Sequence, residues 1–248
     1  MFKLMRESNR MRYPVRFQKA SSLMGLNSGI KELDKLIGFI VKGSMVFIKG
    51  SRSRKHILEL LCLRSIIQHQ NYCIFIDGGN SFDPYLLTQM STAAKHSPKE
   101  VLHRVIIARA FTCHQLISLI NEAGNIIDIY PSNFIAVSDI LHLFTSKESD
   151  VDIRETEFIM HKIIRSLHIL KQKDAIAAVT SYDDNKWFDR MIESYSDIVL
   201  TVNDSAGKVS ISLDKHPLQK GSIELASNVL MLNCEQESEP LTLEQWVR

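Results

Sequence analysis

Short apolar runs alternate with amphipathic segments along most of the chain. The apolar runs have the length and composition of buried strands, and they are residues 45–49, YCIFIDGG, RVIIARAF, SNFIAVSDI and AIAAVTSY. Between them, apolar positions recur at the three-to-four residue spacing of helices, at about 30–36, 55–69, from Pro84, from Thr112 and over 152–172. Asp83 before Pro84 and Thr112 are predicted helix N-caps.

This alternation predicts the fold class. Strands that alternate with helices form a mainly parallel sheet with helices packed on both faces, a three-layer α/β architecture. The segment DIVLTVNDSAGKVSISLD instead holds two β-rich runs around a short turn, which predicts an antiparallel hairpin at the C-terminal edge of the sheet. We expect a core domain at 23–232, a basic flexible arm at 1–22 and an acidic tail at 233–248.

Charge is nearly balanced over the 248 residues, with 30 Lys and Arg against 28 Asp and Glu. The exception is the arm, where Glu7 opposes the basic side chains Lys3, Arg6, Arg10, Arg12, Arg16 and Lys19. Such an arm is typical of contact with nucleic acid or a partner, and a transit peptide is the alternative. The chain has neither a secretory signal nor an apolar run long enough for a bilayer, so we expect no membrane association and a cytoplasmic or, in a eukaryote, nuclear location.

The cysteines and histidines are not spaced as metal ligands. Cys62, Cys73, Cys113 and Cys234 lie in apolar surroundings without a CxxC pair, which favours buried free thiols. The nine histidines are scattered. We therefore expect no metal site.

The stretch VFIKGSRSRKHILELL reads as strand, loop and helix, the setting of a phosphate-binding loop. The loop after Gly50 has no further glycine and carries Ser51, Arg52, Ser53, Arg54, Lys55 and His56. Two interpretations stay open. Arg52, Arg54 and Lys55 attract a phosphate beside a helix N-terminus, or they form a solvated basic loop.

Five segments in order carry a resemblance to a family: SGIKELDKLIG with KGSMVFIKG, CIFIDGGNSFDPYLL, RVIIARAFTCHQL, NFIAVSDIL and DKHPLQKGSIEL. Together they resemble the RecA/RadA recombinase superfamily, in its RadB-like or recombinase-paralogue branch, over about residues 22–226. The resemblance implies a RecA-like fold. It also implies that the loop at Gly50 corresponds to GxxxxGK[ST].

The loop departs from that motif in either alignment. Without a gap, Lys55 stands at the second glycine and His56 at the lysine. With a one-residue deletion, Lys55 remains the lysine but Arg54 replaces the glycine and His56 the hydroxyl. A side chain at a left-handed glycine position costs about 1 kcal/mol or more and obstructs a phosphate.

Three further positions implied by the resemblance also differ. Gly79 stands where the family has a glutamate that activates water. Ser138 stands where a magnesium-linked aspartate is expected. Asp139 follows one residue later and is predicted to face the opposite side of the sheet unless the strand bulges. The fifth strand ends VTSYDD, without the glutamine that senses a γ-phosphate.

We therefore expect no catalytic residue and no ATP hydrolysis. A vestigial nucleotide site would comprise Gly50, Ser51, Arg52, Arg54, Lys55, His56, Asp77 and Asp139. No cofactor is expected, and ATP with Mg²⁺ belongs to the alternative function, a nucleotide-binding RecA/KaiC-like ATPase whose unorthodox loop acts as a regulatory switch.

The resemblance implies a catalytically inactive recombinase paralogue that assists or regulates homologous recombination and DNA repair. Its expected partners are a recombinase or another recombinase paralogue, which a segment around Phe17 could bind, and single-stranded DNA. For DNA the candidate residues are Lys186, Trp187 and Arg190, with Arg10, Arg12 and Arg16 of the arm, because cations beside aromatic rings suit unpaired bases. The alternative for Trp187 and Phe188 is packing against the following helix.

Overall fold

A computed structural model describes residues 25–145, 153–182 and 186–232. Its centre is one eight-stranded sheet. The strands are β1 (Met45–Gly50), β2 (Tyr72–Asp77), β3 (Val105–Arg109), β4 (Ser132–Ser138), β5 (Ile176–Ser181), β6 (Ile198–Ser205), β7 (Lys208–Lys215) and β8 (Gly221–Ala226). Their order across the sheet is β3-β2-β4-β5-β1-β6-β7-β8.

Helices connect most of the strands. They are α1 (Lys31–Ile37), α2 (Ser53–His69), α3 (Pro84–Ala93), α4 (Pro98–His103), α5 (Cys113–Ile129), α6 (His142–Thr145), α7 (Ile153–Gln172), α8 (Lys186–Tyr195) and α9 (Val229–Leu232). The caps predicted at Asp83 and Thr112 are confirmed: the Asp83 carboxylate accepts hydrogen bonds from the N–H groups of Tyr85 and Leu86, and the Thr112 hydroxyl accepts one from that of Gln115.

The six strands from β3 to β6 are parallel, and β6, β7 and β8 are antiparallel. The predicted fold class and the hairpin are confirmed. The outer strand β8 was not predicted. Of its apolar side chains, Leu225 is buried and Ile223 is half-buried, and a run this short does not show the alternation of apolar and polar residues that identifies a strand.

The core lies in two layers, one on each face of the sheet. Val46 and Ile48 of β1 face a cluster that includes α1, α2 and α3, whereas Met45 and Phe47 face a cluster that includes α5, α7 and α8. Successive side chains of a strand point to opposite faces, so continuous apolar runs are what a sheet covered on both sides requires.

Two predicted boundaries shift at the loop after β1. The strand extends to Gly50, and α2 begins at Ser53, two residues earlier than the sequence suggested. The connection is therefore only Ser51 and Arg52. A shorter loop brings the side chain of Arg54 inside the first helical turn rather than before it.

Two predicted segments fall outside the described residues: the arm at 1–22 and the tail from 233. Within the three described ranges, no helix combines the length and apolar character needed to cross a bilayer.

Candidate functional site

Gly50 closes β1 in a conformation that other residues avoid. Its φ is +106°, and a Cβ atom added there would lie 2.2 Å from the carbonyl oxygen of Val202 in β6. The Ser51 N–H donates to that same oxygen at 2.8 Å. The chain therefore turns tightly against β6 before α2 begins, and glycine is required at this point.

Two backbone N–H groups at the start of α2 are bound within the protein. The Ser53 N–H donates to the Asp204 carboxylate at 3.1 Å, and the Arg54 N–H donates to the Ser51 carbonyl at 3.1 Å. A phosphate-binding loop would direct such groups at a ligand. Here a carboxylate of β6 lies at the N-terminus of α2, where the helix dipole favours an anion.

Arg54 fills the turn from the inside. Its side chain is 7% exposed, and its Nη1 donates to the carbonyl oxygens of Ser51 at 3.1 Å and Gly50 at 3.4 Å. The turn thus presents carbonyl oxygens to a cation. That polarity is the reverse of a loop that presents N–H groups to an anion.

The opposite side of the guanidinium binds Asp139. Arg54 Nε and Nη2 donate to Asp139 Oδ1 at 3.0 and 2.6 Å. Both side chains are less than a tenth exposed, so the pair is a buried ion pair between α2 and the end of β4. The Tyr182 ring lies 4.5 Å from the Arg54 guanidinium carbon and covers it as a cation–π contact.

The prediction that Asp139 faces away from the loop is wrong. Strand alternation stops at Ser138, the last residue of β4, and Asp139 takes a left-handed conformation with φ +47°. Its N–H donates to the Thr180 hydroxyl at 2.8 Å. This turn at the strand end directs the carboxylate toward Arg54.

Gly79 makes room for that arrangement. A Cβ atom on Gly79 would lie 2.5 Å from the Cβ atom of Asp139. A glutamate at position 79, where the resemblance implies a water-activating base, would require Asp139 to move. Asp139 can therefore occupy its observed position because residue 79 is a glycine.

Asp77 organises the turn after β2. It is fully buried and accepts hydrogen bonds from the Ser81 N–H at 2.9 Å, the Ser138 hydroxyl at 2.8 Å and Arg109 Nε at 3.3 Å. Ser138, which stands where a magnesium-linked aspartate was expected, therefore binds another side chain of the protein.

The neighbouring side chains of the turn lie further out. Arg52 is exposed, and Lys55 and His56 are half-buried. Burial lowers the pKa of His56, and the charges of Lys55 and Arg52 lower it further, so His56 is neutral at pH 7. Of the residues proposed for a vestigial nucleotide site, these three stay on the surface of the turn while Arg54 and Asp139 pair beneath it.

Glu59 is a residue that sequence reasoning missed. It lies in α2 and is 1% exposed. Its Oε1 accepts a hydrogen bond from the Asp83 N–H at 2.9 Å, and its Oε2 has no hydrogen-bond partner among the described residues. Burial raises its pKa to about 8. The available signal was a single acid inside the apolar run ILELLCL.

The candidate DNA residues divide between two environments. Phe188 is 5% exposed and packs in the core from within α8 rather than against a following helix, whereas Trp187 is 49% exposed. The two rings meet edge to face at 4.8 Å. Arg190 is exposed on α8. The side chain of Lys186 and the residues Arg10, Arg12 and Arg16 lie outside the described part of the chain.

A comparison with protein families identifies the chain's relatives. The model of the Rad51 family matches residues 19–185, which is more than half of the chain. The chain belongs to the Rad51 family. The match includes the β1–α2 turn, Asp77, Asp139 and Tyr182, so the Arg54–Asp139 pair lies inside the part shared with the family.

Individual relatives agree with this assignment. The DNA repair protein Rad51 homolog of Drosophila melanogaster is 34% identical over 119 residues, 45% of this chain and 35% of that protein. The DNA repair protein RAD51 of Saccharomyces cerevisiae is 25% identical over 172 residues, 66% of this chain and 43% of that protein. The DNA repair protein rhp51 of Schizosaccharomyces pombe is 24% identical over 170 residues, 65% and 47% of the two chains. The matched part is thus between a third and a half of each relative.

Replacing Arg54 tests the ion pair. Arg54→Ala leaves the buried Asp139 carboxylate without its cation, and removal of one partner of a buried pair costs about 3–5 kcal/mol of unfolding free energy. Urea denaturation of Arg54→Ala and of the exposed control Arg52→Ala measures the difference. The double variant Arg54→Ala with Asp139→Ala should lose less than the sum of the single losses; equal losses in Arg54→Ala and Arg52→Ala contradict the assignment.

Glu59 gives a pH dependence of stability. Its folded-state pKa of about 8 lies above the ordinary value of 4.5, so the folded protein holds the proton more tightly. The stabilisation is complete below pH 4.5 and is lost as the pH rises through 8. Each pH unit inside this window costs at most about 1.4 kcal/mol.

Denaturant titrations from pH 5 to pH 9 check the effect. Glu59→Gln does not titrate, so its stability relative to the unchanged protein should increase across that range. The exposed Glu122→Gln is the matched control and should follow the unchanged protein. Parallel pH profiles for Glu59→Gln and the unchanged protein would show that Glu59 is already ionised when folded.

Proposed function

We propose that this Rad51-family chain is a recombinase paralogue that works in homologous recombination and DNA repair without hydrolysing ATP. Membership of the family and the role of its relatives as DNA repair proteins support the first half. The observation that carries the second half is the buried Arg54–Asp139 pair inside the β1–α2 turn.

The energetic argument compares the pair with the affinity of a nucleotide. A triphosphate needs the turn's N–H groups, but the Ser53 N–H binds Asp204 and the Arg54 guanidinium occupies the turn. If a nucleotide displaced Arg54, Asp139 would remain buried without a cation and next to an anionic ligand. The loss of its partner costs about 3–5 kcal/mol. That cost weakens an affinity by about 10² to 10⁴-fold.

The positions expected to supply groups for ATP hydrolysis also lack such a group or bind another side chain of the protein. Gly79 carries no side chain to activate water and packs against Asp139. Ser138 donates its hydroxyl to Asp77. The turn, the general-base position and the metal position would all have to rearrange together for turnover.

A partner surface is supported at the β3 edge of the sheet. β3 is the outer strand of the described sheet on that side, and an edge strand offers backbone groups to a further strand. Ile107 and Phe111 are 46% and 73% exposed beside it. The occupant in this proposal is an extended segment with a phenylalanine from another family member, of the kind that VRFQKASS around Phe17 represents in this chain.

Contact with single-stranded DNA is the other part of the proposal. Trp187 and Arg190 are exposed three residues apart on α8, so they lie on one helix face. An aromatic face and a cation together bind unpaired bases and phosphate without regard to sequence. Lys186 and the arm residues Arg10, Arg12 and Arg16 would add further phosphate contacts.

Nucleotide binding is tested by titration calorimetry with ATP and Mg²⁺. We expect no binding tighter than about 0.1 mM, because the pair must be broken first. Binding in the micromolar range that disappears in Lys55→Ala overturns the proposal and supports the alternative of a nucleotide switch.

DNA binding is tested by gel shift on single-stranded oligonucleotides at increasing salt. We expect affinity to fall steeply with salt, and Trp187→Ala to weaken binding by about 10-fold, since one stacked base contributes about 1–3 kcal/mol. Arg190→Ala should reduce the salt slope by about one unit, whereas Arg165→Ala, an exposed arginine of α7, should not. Absence of binding at low salt, alone and with a recombinase, rejects the DNA role.

A further inference from the structure

Two cysteines that are far from a CxxC spacing meet in the core. Cys62 of α2 and Cys73 of β2 are both fully buried, and both are free thiols. Their sulfur atoms lie 2.9 Å apart. On the sequence they read as separate apolar side chains, because the patterns of a helix and the next strand do not indicate which of their residues face each other.

The separation is close to that of a covalent bond. A disulfide has an S–S length of about 2.05 Å, so the two sulfur atoms need to move by less than about 1 Å. Cys62 and Cys73 belong to the same apolar cluster, packed between α2 and the sheet. The fold therefore already holds the two side chains in the approach that bond formation requires.

We propose that Cys62 and Cys73 are a modification site, an intramolecular thiol pair that a hydroperoxide converts to a disulfide. This inference does not depend on the proposed function.

The reaction balances in two steps. The thiolate of one cysteine attacks a peroxide oxygen, the O–O bond breaks, and the products are a sulfenic acid and, after protonation, one water. The sulfur of the second cysteine then attacks the sulfenic sulfur, and the S–O bond breaks to release a second water. The two sulfur atoms lose two electrons to the peroxide, and both thiol protons end in water.

The surroundings make the pair slow to react. Burial raises the pKa of the Cys62 thiol, the contact with Cys73 raises it further, and Glu59 adds a smaller effect from one turn earlier in α2. Because the thiolate is the nucleophile, oxidation should be slower than for an exposed cysteine. Once the disulfide has formed, the same burial would protect it from reductants in solution.

The disulfide would link α2, the helix that carries Arg54, covalently to β2 of the sheet. α2 carries Arg54 at its start and Glu59 in its second turn, and β2 ends in Asp77. A covalent tie between α2 and β2 closes a short loop and restricts the unfolded chain. We expect the midpoint of thermal unfolding to rise on the order of 5 °C.

Peptide mapping of the unchanged protein tests the proposal directly. Folded protein is treated with hydrogen peroxide, remaining thiols are alkylated, and trypsin is added without reductant. Trypsin cleaves after Lys55, Arg64 and Lys95, so Cys62 and Cys73 fall in separate peptides, 56–64 and 65–95. The expected product is these two peptides joined and lighter by two hydrogen atoms, in more than half of the molecules.

A matched sample oxidised in concentrated guanidinium shows what the fold contributes. There loop closure governs pairing and favours near neighbours only in part, so peptides joined through Cys113 should form as well, whereas in the folded sample Cys113 should be recovered alkylated. The same distribution of joined peptides in the two samples, or alkylation of both Cys62 and Cys73 after oxidation of the folded protein, overturns the proposal.

Two variants separate this pair from the other cysteines. Cys113→Ser should leave the joined peptide unchanged, because Cys113 begins α5 in the other core cluster. Cys62→Ala should remove it and also abolish the rise in the thermal midpoint that peroxide causes. A midpoint that rises equally in Cys62→Ala would mean that another oxidation stabilises the protein, and would reject the predicted tie.

Discussion

The buried pair between Arg54 and Asp139 is the interaction on which the geometry of the site depends. Two charges with less than a tenth of their side-chain surface exposed must satisfy each other, because water does not reach them. This requirement fixes the first turn of α2, the end of β4 and, through Tyr182 and Thr180, the end of β5. Two strand ends and one helix are thereby held in a single arrangement.

Several of the residues that differ from the motifs expected for the family lie around this ion pair. Arg54 needs carbonyl oxygens, so the turn exposes those of Gly50 and Ser51 to it. Asp139 needs a left-handed turn and free space beside it, which Gly79 supplies. The anion that a helix N-terminus favours is already present as Asp204. The Rad51-family sheet and helices are thus present together with a turn after β1 that binds the guanidinium of its own Arg54.

α2 concentrates the unusual chemistry of the molecule. Along one helix, Arg54 pairs with β4, Glu59 accepts a bond from the N-terminus of α3, and Cys62 meets a thiol of β2. A helix of 17 residues with 12 of them buried has to place polar groups in the core. Each of them is matched, at least in part, by a group from a different element, so the helix is positioned by polar contacts as well as by apolar packing.

The sequence alone determined the elements and the class of fold. Continuous apolar runs require burial on both faces and so predict parallel strands between helices, while the caps at Asp83 and Thr112 act within three residues of themselves. Gly79, Ser138 and the turn after Gly50 are the residues from which the sequence predicts a changed site. Only the tertiary structure decided where the polar groups meet. Arg54 and Asp139 are 85 positions apart. They are neighbours because the order β4-β5-β1 places the carboxyl ends of these strands side by side. The direction of Asp139, the burial of Glu59 and the contact between the two thiols follow from packing between elements, which no local sequence pattern records.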